Sequence, residues 1–551
     1  MALLFALTLV AAWVAVWAAP VPKRAEVPPE LPPEVAAEWA RAAQATYWLC
    51  AGTYGTVRHG EVIEWYFEPV PAGAMPAFYF DDPSRSPVCG NWIYPLTVPV
   101  DFSALQKPGR PFGLIFDSTR PPSVEDRLHQ FDSLHTIHAG LDQMPGLSWL
   151  APLAQLRGLS LAGSMKDFDT ELRHLAGLKS LHALNLCYSD TTDAGLKHVA
   201  ALRELQWLDL QKTQITDAGL QCLADLPNLM RLRLADTKIG DAGLAHVARH
   251  TDLTHLDLSG TGVTDAGLKH LAACRELVEL NLSGTNVTAD GLKALACLPR
   301  LRKLGLSKSH VNDFGSKVDD ERYGLSATGA TDRELEVLAA CTELRELTLA
   351  NARVTDASLK HLAGLKKLAT LDLTRCNELT GAGLRQLAGL TSLNLTDTLL
   401  GDAGLEHLAA LNGLTRLNLS FTDVSGAGLK HIAGLHNLAE LDLSDSGVGD
   451  DCGELIARLP QLRRLDLYGT RGDQGYSVDA PLADGWLKHL AKCPRLESLR
   501  MPAASDKGLS FMAGAPALKH LAIEGTRGSS DITAEGVRAL AASKSLTRVM
   551  L

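Results

Sequence analysis

The chain has 551 residues, more than one hydrophobic core usually supports, which predicts several domains or an extended repeat. Apolar residues make up 46% and charged residues 21% of it, a composition that excludes wholesale disorder. The net charge of −10 at pH 7 gives no general attraction for phosphate backbones, so the composition argues against nucleic acid as a partner.

An uncharged apolar run opens the chain. Residues 2–19 fit a cleaved secretory signal, with Val16 and Ala18 before the cleavage site, and they also fit an uncleaved membrane anchor. No Lys or Arg precedes the run, which departs from a standard signal and leaves open a mis-assigned start or a buried helix. We expect residues 1–19 to be a signal peptide or membrane anchor, and the protein to be exported: periplasmic, extracellular or membrane-anchored.

Two segments of different texture follow this run. Residues 20–34 contain six prolines and predict a stiff extended linker. Residues 39–102 hold thirteen of the chain's thirty aromatic residues, and short alternating runs at 62–67 and 114–116 indicate strands. We predict a small β-rich or α+β N-terminal domain over residues 35–130, without a function that the sequence specifies.

From about residue 131 onward a short phrase, LxxLxL, recurs through the chain. Nine of its intervals are 24 residues long, and a weaker copy begins at Leu134. The first leucines of the sixteen copies are Leu156, Leu181, Leu205, Leu229, Leu253, Leu277, Leu301, Leu344, Leu368, Leu390, Leu414, Leu438, Leu462, Leu496, Leu518 and Leu546. This regularity predicts a solenoid of about sixteen repeats over residues 131–551, with inserts at 312–330 and 471–481.

Each copy divides into a strand and a helix. Leu256 and Leu258 alternate with polar residues as in a half-buried strand, and residues 264–268 read as an N-cap with an acidic first turn. A small hydroxyl or thiol stands eight residues after most of the first leucines, where the chain turns out of the sheet and its polar groups need partners.

One repeat alone buries too few aliphatic side chains to offset the backbone entropy that it loses, so the copies must stack. Strands stack more closely than helices do, which bends the stack. We therefore expect an α/β fold: a right-handed solenoid with a curved parallel sheet inside and short helices outside.

The ten cysteines do not follow the spacing of a disulfide framework. Cys274, Cys341 and Cys493 hold a position that leucine occupies in other repeats, which is typical of small buried hydrophobes. No CxxC occurs, so neither a zinc ribbon nor a thioredoxin-type site is indicated. Cys50 and Cys89 are the pair that can form a disulfide if the protein is exported, and whether they do stays open.

The pattern LxxLxLxxTxVTDAGLxxLAxxxxL resembles the leucine-rich-repeat superfamily over about residues 134–551. It is nearest to the cysteine-containing and ribonuclease-inhibitor-like classes found in F-box repeat proteins, and residues 375–380 restore the cysteine that names the first class. The TDAGL-rich version looks like the exported repeat proteins of planctomycete-type bacteria. The resemblance implies the solenoid fold but no particular ligand, and no F-box-like segment precedes the repeats to imply a ubiquitin-ligase adaptor.

Polar residues form a stripe at the middle outward position of the strands. The stripe fits a polar or cationic ligand, or Ca²⁺, on the concave face, or simply a solvated strand face whose side chains hydrogen-bond across repeats. Its predicted ligand-binding members are Asp209, Asp257, Asp442 and Asp466. Because binding hot spots usually need Trp, Tyr or Arg, we predict two further clusters. The early cluster is Trp207, Arg231 and Arg233, and the late cluster is Arg416, Arg464, Tyr468 and Arg500.

Signatures of chemistry are missing from the sequence. Histidines recur at 198, 270, 361, 431 and 489, one per repeat, which predicts half-exposed helix residues rather than a metal ladder. There is no GxSxG, HExxH, phosphate-binding glycine loop or dinucleotide fingerprint. We predict a protein that is not an enzyme, with no catalytic residue, cofactor or metal site.

Three functions stay open on these grounds. The first is an exported or membrane-tethered scaffold that binds another protein or a surface glycan. The second makes residues 35–130 a small catalytic or ligand-binding unit that the solenoid targets, and the third is an intracellular interaction adaptor. Because residues 549–551 fall inside the last strand, we also predict end-to-end self-association through that uncapped strand or a frayed last repeat.

Overall fold

The computed structural model describes a defined part of the chain: residues 45–49, 75–80, 112–116, 128–141, 144, 146–307, 330–449, 452–470, 484–502, 504–523 and 532–550. The apolar run, the proline-rich linker, residues 62–67, Cys50, Cys89, insert 471–481 and nearly all of insert 312–330 lie outside it. The described residues form two compact units, divided between Leu280 and Asn281.

The first unit contains a sheet in which neighbouring strands follow one another along the chain. Its strands are Ala45–Leu49, Met75–Phe80, Phe112–Phe116, Leu134–Gly140, Gly158–Ala162, Ala183–Asn185, Trp207–Asp209, Arg231–Arg233 and His255–Asp257, and Glu279–Asn281 lies at the division. The first two strands pair antiparallel, and the pairings from the second strand to His255–Asp257 are parallel. The strand predicted at 114–116 and the weak repeat copy at Leu134 are both confirmed.

Short helices connect the strands of the first unit. The α-helices are Phe168–Glu171, Asp193–Val199, Asp217–Leu223, Asp241–Val247 and Asp265–Leu268. Single 3₁₀ turns or short 3₁₀ segments are Leu128–Gln130, Ser148–Leu150, Leu172–Gly177 and Lys269–Ala273. Strand and helix alternate along the chain, which is the connection that parallel strands require.

The second unit repeats the same order. Its strands are Lys303–Gly305, Glu346–Thr348, Thr370–Asp372, Ser392–Asn394, Arg416–Asn418, Glu440–Asp442, Arg464–Asp466, Ser498–Met501, His520–Ile523 and Arg548–Met550, each parallel to the next. Its α-helices are Ala289–Leu292, Asp332–Leu338, Asp356–Leu362, Gly401–Leu408, Gly426–Ile432, Gly453–Ile456, Asp484–Leu490, Asp506–Ala513 and Ala534–Ala541, with 3₁₀ segments Lys293–Cys297 and Leu384–Gln386.

The leucines of the repeated phrase form the core of each unit. Leu414, Leu417 and Leu419 are all buried, and Leu417 pairs in register with Leu441 of the next repeat. A leucine layer is therefore covered on both flanks by the leucine layers of its neighbours. The predicted stack of strand–helix repeats is confirmed.

In most of the described repeats, the hydroxyl that follows the strand satisfies the turn from within its own repeat. Thr422 Oγ1 donates to the Leu419 carbonyl oxygen at 2.5 Å, and Thr261 Oγ1 donates to the Leu258 carbonyl oxygen at 2.5 Å. Where cysteine replaces the hydroxyl, Cys376 Sγ donates to the Leu349 carbonyl of the preceding repeat at 3.1 Å. The buried turn that the sequence predicted thus finds its polar partners locally.

Helix starts are tied to the preceding repeat by a carboxylate. Thr264 caps the helix Asp265–Leu268, as predicted, by accepting the Ala266 N–H at 3.3 Å. In addition, Asp241 of the preceding helix accepts the Thr264 N–H at 2.8 Å and the Thr264 hydroxyl at 2.6 Å. The same pair of bonds joins Asp193 to Thr216, Asp332 to Thr355 and Asp402 to Ser425. We call this paired contact the Asp–Thr clamp.

The clamp explains why glycine follows it in TDAGL. A Cβ on Gly267 would lie 2.4 Å from Asp241 Oδ1, and one on Gly428 would lie 2.3 Å from Asp402 Oδ1. Each of these carboxylates is already held by two hydrogen bonds, so it cannot move aside without breaking them. The prediction that these glycines serve helix starts and close packing is confirmed.

Three cysteines of the repeats behave as small hydrophobes, as predicted. Cys274, Cys341 and Cys493 are buried free thiols, and burial raises the pKa of each to about 11. A thiol held protonated in this way is a poor nucleophile and metal ligand.

None of the helices in the described ranges is long and apolar enough to cross a membrane.

Candidate functional site

Each strand presents three outward positions, which we call the first, middle and last face positions. In one repeat of the second unit they are Arg464, Asp466 and Tyr468. Alternation along the strand turns these side chains away from the leucine layer. Because the strands pair in register, Asp442 lies directly opposite Asp466, and each face position forms a column across the repeats.

Asp and Asn hold the middle position because they close the end of the strand. Asp442 Oδ1 accepts the Ser444 N–H at 2.9 Å and the Ser444 hydroxyl at 2.7 Å. The same bond to the N–H two residues on is made by Asn185, Asp209, Asp257, Asn281, Asp372, Asn394, Asn418 and Asp466. The bond that these residues share therefore lies within one repeat. Hydrogen bonds across repeats, as predicted, are made in addition by some members: Asn185 Nδ2 donates to Ser160 Oγ of the preceding repeat at 3.3 Å.

This bond stabilises the sharp turn of the backbone that follows the strand. The residue after the last face position adopts left-handed backbone, with φ of 53° at Asp445, 56° at Phe421 and 66° at Gly469. The Asp or Asn side chain accepts the N–H of the last face residue, which directly precedes the left-handed residue. This hydrogen bond holds the turn in place. The polar stripe thus has a structural role at the turns. Across the described residues, no group of three or more His, Cys, Asp or Glu is placed to hold a metal ion.

The early cluster lies in the first unit and is largely buried. Trp207 is 2% exposed and Asp209 is 1% exposed. Asp209 accepts Arg233 Nη1 at 3.1 Å, and Arg233 Nε approaches Asp257 Oδ2 to 3.8 Å. One guanidinium thus neutralises carboxylates of both flanking repeats. Ligand contact by Trp207 and Asp209 requires exposed side chains, and the structure does not bring these two to the surface.

Arg231, at the first face position beside Trp207, is half-buried. Burial lowers its pKa to about 10, while the charge of Glu279 acts in the opposite direction. His255, between Arg231 and Glu279 in the column, approaches the Glu279 carboxylate to 3.9 Å. Arg231 remains a cation at neutral pH and belongs to an internal charge ladder with these neighbours.

The late cluster lies in the second unit and faces outward. The Arg500 guanidinium stacks over the Tyr468 ring, with 4.4 Å from Cζ to the ring centroid. Arg500 Nη1 also lies 3.4 Å from Asp466 Oδ2, so an aromatic ring and a carboxylate hold the same cation. This arrangement fixes three side chains of two adjacent repeats in one geometry.

Arg464 and Arg416 extend this cluster along the first face position. Both are exposed. Arg464 Nη1 lies 3.5 Å from Glu440 Oε1, and Arg416 Nε donates to Ser392 Oγ at 3.2 Å. Glu440 was not among the predicted site residues, although its position 24 residues before Arg464 could have indicated the pair.

Asp466 is the carboxylic acid of this surface whose pKa is shifted. Burial, together with the neighbouring charge of Asp442, raises the pKa of Asp466 to about 6, against the opposing effect of Arg500. Its side chain is 27% exposed, so the group still meets solvent. The charge of the surface therefore changes in the mildly acidic range.

A depression of about 310 Å³ lies beside the N-terminal ends of the last strands of the second unit. It is lined by Arg463, Pro494, Arg495, Glu497, Pro516, Ala517, Lys519 and Ser545. Glu497 accepts Lys519 Nζ at 2.8 Å and lies 3.1 Å from Arg463 Nη1. Two of its cations, Arg463 and Lys519, thus share one carboxylate, and Arg495 contacts Gln461 Oε1 instead. It does not include the late cluster.

The recurring helix histidines are half-exposed or exposed, as predicted, at 198, 270, 361, 431 and 489. His250 differs from them, since it is buried and its Nδ1 lies 3.2 Å from the Leu226 carbonyl oxygen. Burial lowers the pKa of His250, which keeps the ring neutral.

Comparison with known proteins agrees with this architecture. A family model described as Leucine Rich repeat matches residues 203–224, 225–248, 249–272, 273–296 and 412–433. No curated protein matches the chain.

Many solved structures are similar to the chain. An internalin from Listeria monocytogenes is 20% identical, with a TM-score of 0.42 over 60% of this chain and 86% of that chain. A leucine-rich-repeat protein from Leptospira interrogans is 18% identical, with a TM-score of 0.46 over 75% and 94%. The structure of the TLR13–ssRNA13 complex is 16% identical, with a TM-score of 0.50 over 79% and 66%. At these identities the likeness concerns the fold alone.

Stacked strand–helix repeats with a buried leucine layer and a polar outer face define a repeat scaffold. Because the matched segments and the strand-by-strand register agree with the leucine phrases, the described strand–helix repeats are leucine-rich repeats.

Proposed function

We propose that the protein is a non-catalytic scaffold that binds another protein through the second unit. The binding surface consists of Arg416, Arg464, Tyr468, Arg500, Asp442 and Asp466, and we call it the Tyr468 surface. The observation that carries the proposal is the stacking of Arg500 on Tyr468 at 4.4 Å, with Asp466 as a second anchor of the same guanidinium. Side chains that are ordered before binding lose less entropy when a partner docks.

The chemistry of this surface favours a protein over other ligands. Tyr and Arg are the residues that most often dominate protein interfaces. Three arginines alternate with the carboxylates of Glu440, Asp442 and Asp466, so the surface offers no continuous cationic track for phosphates. The RNA named with the similar TLR13 structure therefore gives no support for RNA binding here. A surface glycan is the alternative ligand, since an aromatic ring beside carboxylates can also contact a sugar.

A capture experiment with point variants tests this surface. The full chain is immobilised, exposed to an extract of surface and secreted proteins of the source organism, and the captured proteins are quantified. Tyr468→Ala and Arg500→Ala should each weaken capture of one common protein at least about tenfold, as loss of a hot spot does. Arg458→Ala is the matched control, because Arg458 is an exposed arginine of the same unit that lies just after the helix Gly453–Ile456 and pairs with Glu454 at 2.9 Å.

Unchanged capture by both Tyr468→Ala and Arg500→Ala would refute the surface. Retention of the chain by a glycan array, lost in Tyr468→Ala, would replace the protein ligand by a carbohydrate. A small molecule bound or turned over in a Tyr468-independent way would favour the second function, in which residues 35–130 carry the activity.

We also propose that the scaffold is exported. Support comes from the uncharged apolar run at residues 2–19 and the proline-rich linker that follows it. Sequencing the N-terminus of the protein from its natural source tests this: cleavage near Ala18, or recovery with membranes, agrees with export. An intact Met1 in the cytosol would support the intracellular adaptor instead.

A further inference from the structure

Two large apolar side chains protrude from neighbouring repeats of the second unit. Leu399 is 68% exposed and Phe421 is 39% exposed. They lie in the turns that follow the strands Ser392–Asn394 and Arg416–Asn418, which pair in register. Both side chains stand outside the leucine layer, so the packing of the repeats does not account for their apolar character. Adjacent exposed apolar side chains are typical of a surface that binds another molecule.

Phe421 also holds an unfavourable backbone conformation. Its φ is 56°, in the left-handed region that favours glycine and short polar residues over bulky ones. Other repeats of this unit place Asn351, Asp397, Asp445 and Gly469 at the same position. The aromatic residue therefore costs stability at this turn, and residues of this kind cluster where a protein binds.

The first unit shows what an aromatic ring and a carboxylate hold at this position. Tyr188, Lys212 and Asp236 are the left-handed residues of successive repeats. Lys212 Nζ lies 4.8 Å from the centroid of the Tyr188 ring and 4.0 Å from Asp236 Oδ2. A ring and a carboxylate in this column thus hold an ammonium group together.

The turns around Phe421 offer the same two kinds of group. Asp397 and Asp445 hold the left-handed position on either side of Phe421, and Asp423 is exposed two residues after it. Arg375 Nε donates to Asp397 Oδ2 at 2.7 Å, so one guanidinium stands against three carboxylates at these positions. An apolar surface with a negative surrounding is complementary to a segment that combines apolar and cationic side chains.

We propose that this surface, made of Asp397, Leu399, Phe421, Asp423 and Asp445, binds a basic, apolar segment of the partner protein. We call it the Phe421 rim. A lysine or arginine side chain of the partner lies over the Phe421 ring, within reach of a flanking carboxylate. An apolar side chain next to it covers Leu399.

The Phe421 rim continues the Tyr468 surface. Ser420, Ser444 and Tyr468 hold the last face position of successive repeats, whose strands pair in register. Phe421 directly follows Ser420, so one partner can contact both surfaces. The inference therefore rests on the proposed function, to which it adds the chemistry of the partner.

Binding of short synthetic peptides to the full chain tests the rim. One fluorescent peptide combines leucine and glycine with arginine, and a second has glutamate in place of arginine. Fluorescence anisotropy should show saturable binding of the arginine peptide, at least about tenfold tighter than binding of the glutamate peptide. Phe421→Asn and Leu399→Asn should each weaken binding of the arginine peptide at least about fivefold, as loss of a hot spot does. Met230→Asn is the matched control, because Met230 is 41% exposed in the first unit.

Both variants use a residue that the chain already holds at the equivalent position. Asn351 occupies the left-handed position of Phe421 in another repeat, and Asn377 occupies the position of Leu399, two residues after a left-handed residue. Urea unfolding should therefore give a midpoint that is unchanged in Leu399→Asn, and unchanged or raised in Phe421→Asn because a bulky residue leaves the left-handed region. Weaker peptide binding in these folded variants reports a lost contact.

Three peptide results would overturn the rim: absence of saturable binding, equal binding of the two peptides, or arginine-peptide binding that neither variant weakens. The capture experiment distinguishes its failure from that of the Tyr468 surface. The protein lost with Tyr468→Ala should also be captured more weakly by Phe421→Asn and Leu399→Asn. Capture that depends on Tyr468 but on neither of these two residues would overturn the rim and leave the Tyr468 surface standing.

Discussion

At the level of single residues, the side chain at the middle face position is selected for its hydrogen-bonding oxygen and not for its charge. Asp and Asn recur there because a side-chain oxygen three bonds from Cα reaches the N–H two residues on and closes the strand. Both side chains supply that oxygen, so the turn does not need the charge. Asp466 carries a charge where Asn418 and Asn394, at the same position of other repeats in this unit, do without one.

Asp466→Asn should therefore stabilise the protein at neutral pH. Burial and the charge of Asp442 raise the pKa of Asp466 from 3.8 to about 6, so folding favours the protonated form. The stability that this protonation contributes is complete below pH ~3.8 and is lost as the pH rises through ~6. The gain from the variant at pH 7 to 8 is at most about 3 kcal/mol, and it shrinks as the pH falls towards ~4.

Urea unfolding at several pH values between 4 and 8 measures this effect. Asp372→Asn is the control, since Asp372 makes the same bond to Thr374 but has Thr348 and Asn394 as strand neighbours instead of another carboxylate. An Asp466→Asn protein that is less stable than the parent at pH 8 would show that the Arg500 contact outweighs the repulsion from Asp442.

The residue scale is also where sequence analysis was least complete. The outward direction of Trp207 and Asp209 follows from strand alternation, but their exposure does not. Exposure depends on what else packs over a face, and a repeat pattern carries no information about that. The late cluster was predicted by residue type, whereas the stacking of Arg500 on Tyr468 required the register of two strands 34 residues apart in sequence.

At the scale of elements, the helix starts hold neighbouring repeats together. The TDAGL motif predicts the N-cap, because Thr and Asp are typical of that position within one repeat. The Asp of the motif has a second role, which involves the next repeat. It accepts hydrogen bonds from the Thr that caps the next helix, as Asp241 does from Thr264. A single repeat cannot indicate this contact, since it involves an atom 23 residues away.

Asp241→Ala should destabilise the protein by about 1–3 kcal/mol, because it leaves the part-buried Thr264 N–H and hydroxyl without this acceptor. Thermal or urea unfolding of the full chain measures the loss. Asp225→Ala removes a carboxylate that lies 2.7 Å from Arg249, but both side chains of that pair are largely exposed, so little change is expected. Equal losses in the two variants would mean that the clamp contributes no more than a surface ion pair.

At the scale of the whole molecule, stability is distributed between neighbouring repeats. Leucine layers, Asp–Thr clamps and strand hydrogen bonds all join one repeat to the next, so each repeat depends on its neighbours and on little else. The fold was predictable from the sequence because the same leucine spacing is written sixteen times. Residues 35–130 carry no such repetition, and their strand at 112–116 joins the sheet through a pairing that alternation alone does not specify.

Removal of one whole repeat tests this distribution. Deletion of residues 205–228 joins Glu204 to Leu229 and preserves the phase of the pattern. The His182 carbonyl, which accepts Gln206 N–H at 2.8 Å, then meets Met230 N–H, and Asp193 meets Gly240 in place of Thr216. We expect a folded protein that still unfolds in one cooperative transition. Its urea midpoint falls because fewer contacts join the repeats, and its m-value decreases in proportion to the surface that one repeat buries.

Deletion of residues 205–216 removes half as much of the chain but breaks the phase, because it takes away the strand Trp207–Asp209 and leaves the helix Asp217–Leu223. The leucine layer of the following repeat then has no matching layer beside it, so this shorter deletion should cost more stability than the longer one. Circular dichroism and urea unfolding of both variants decide the matter. A half-repeat deletion as stable as the whole-repeat deletion would mean that the stack does not depend on registered contacts between neighbours.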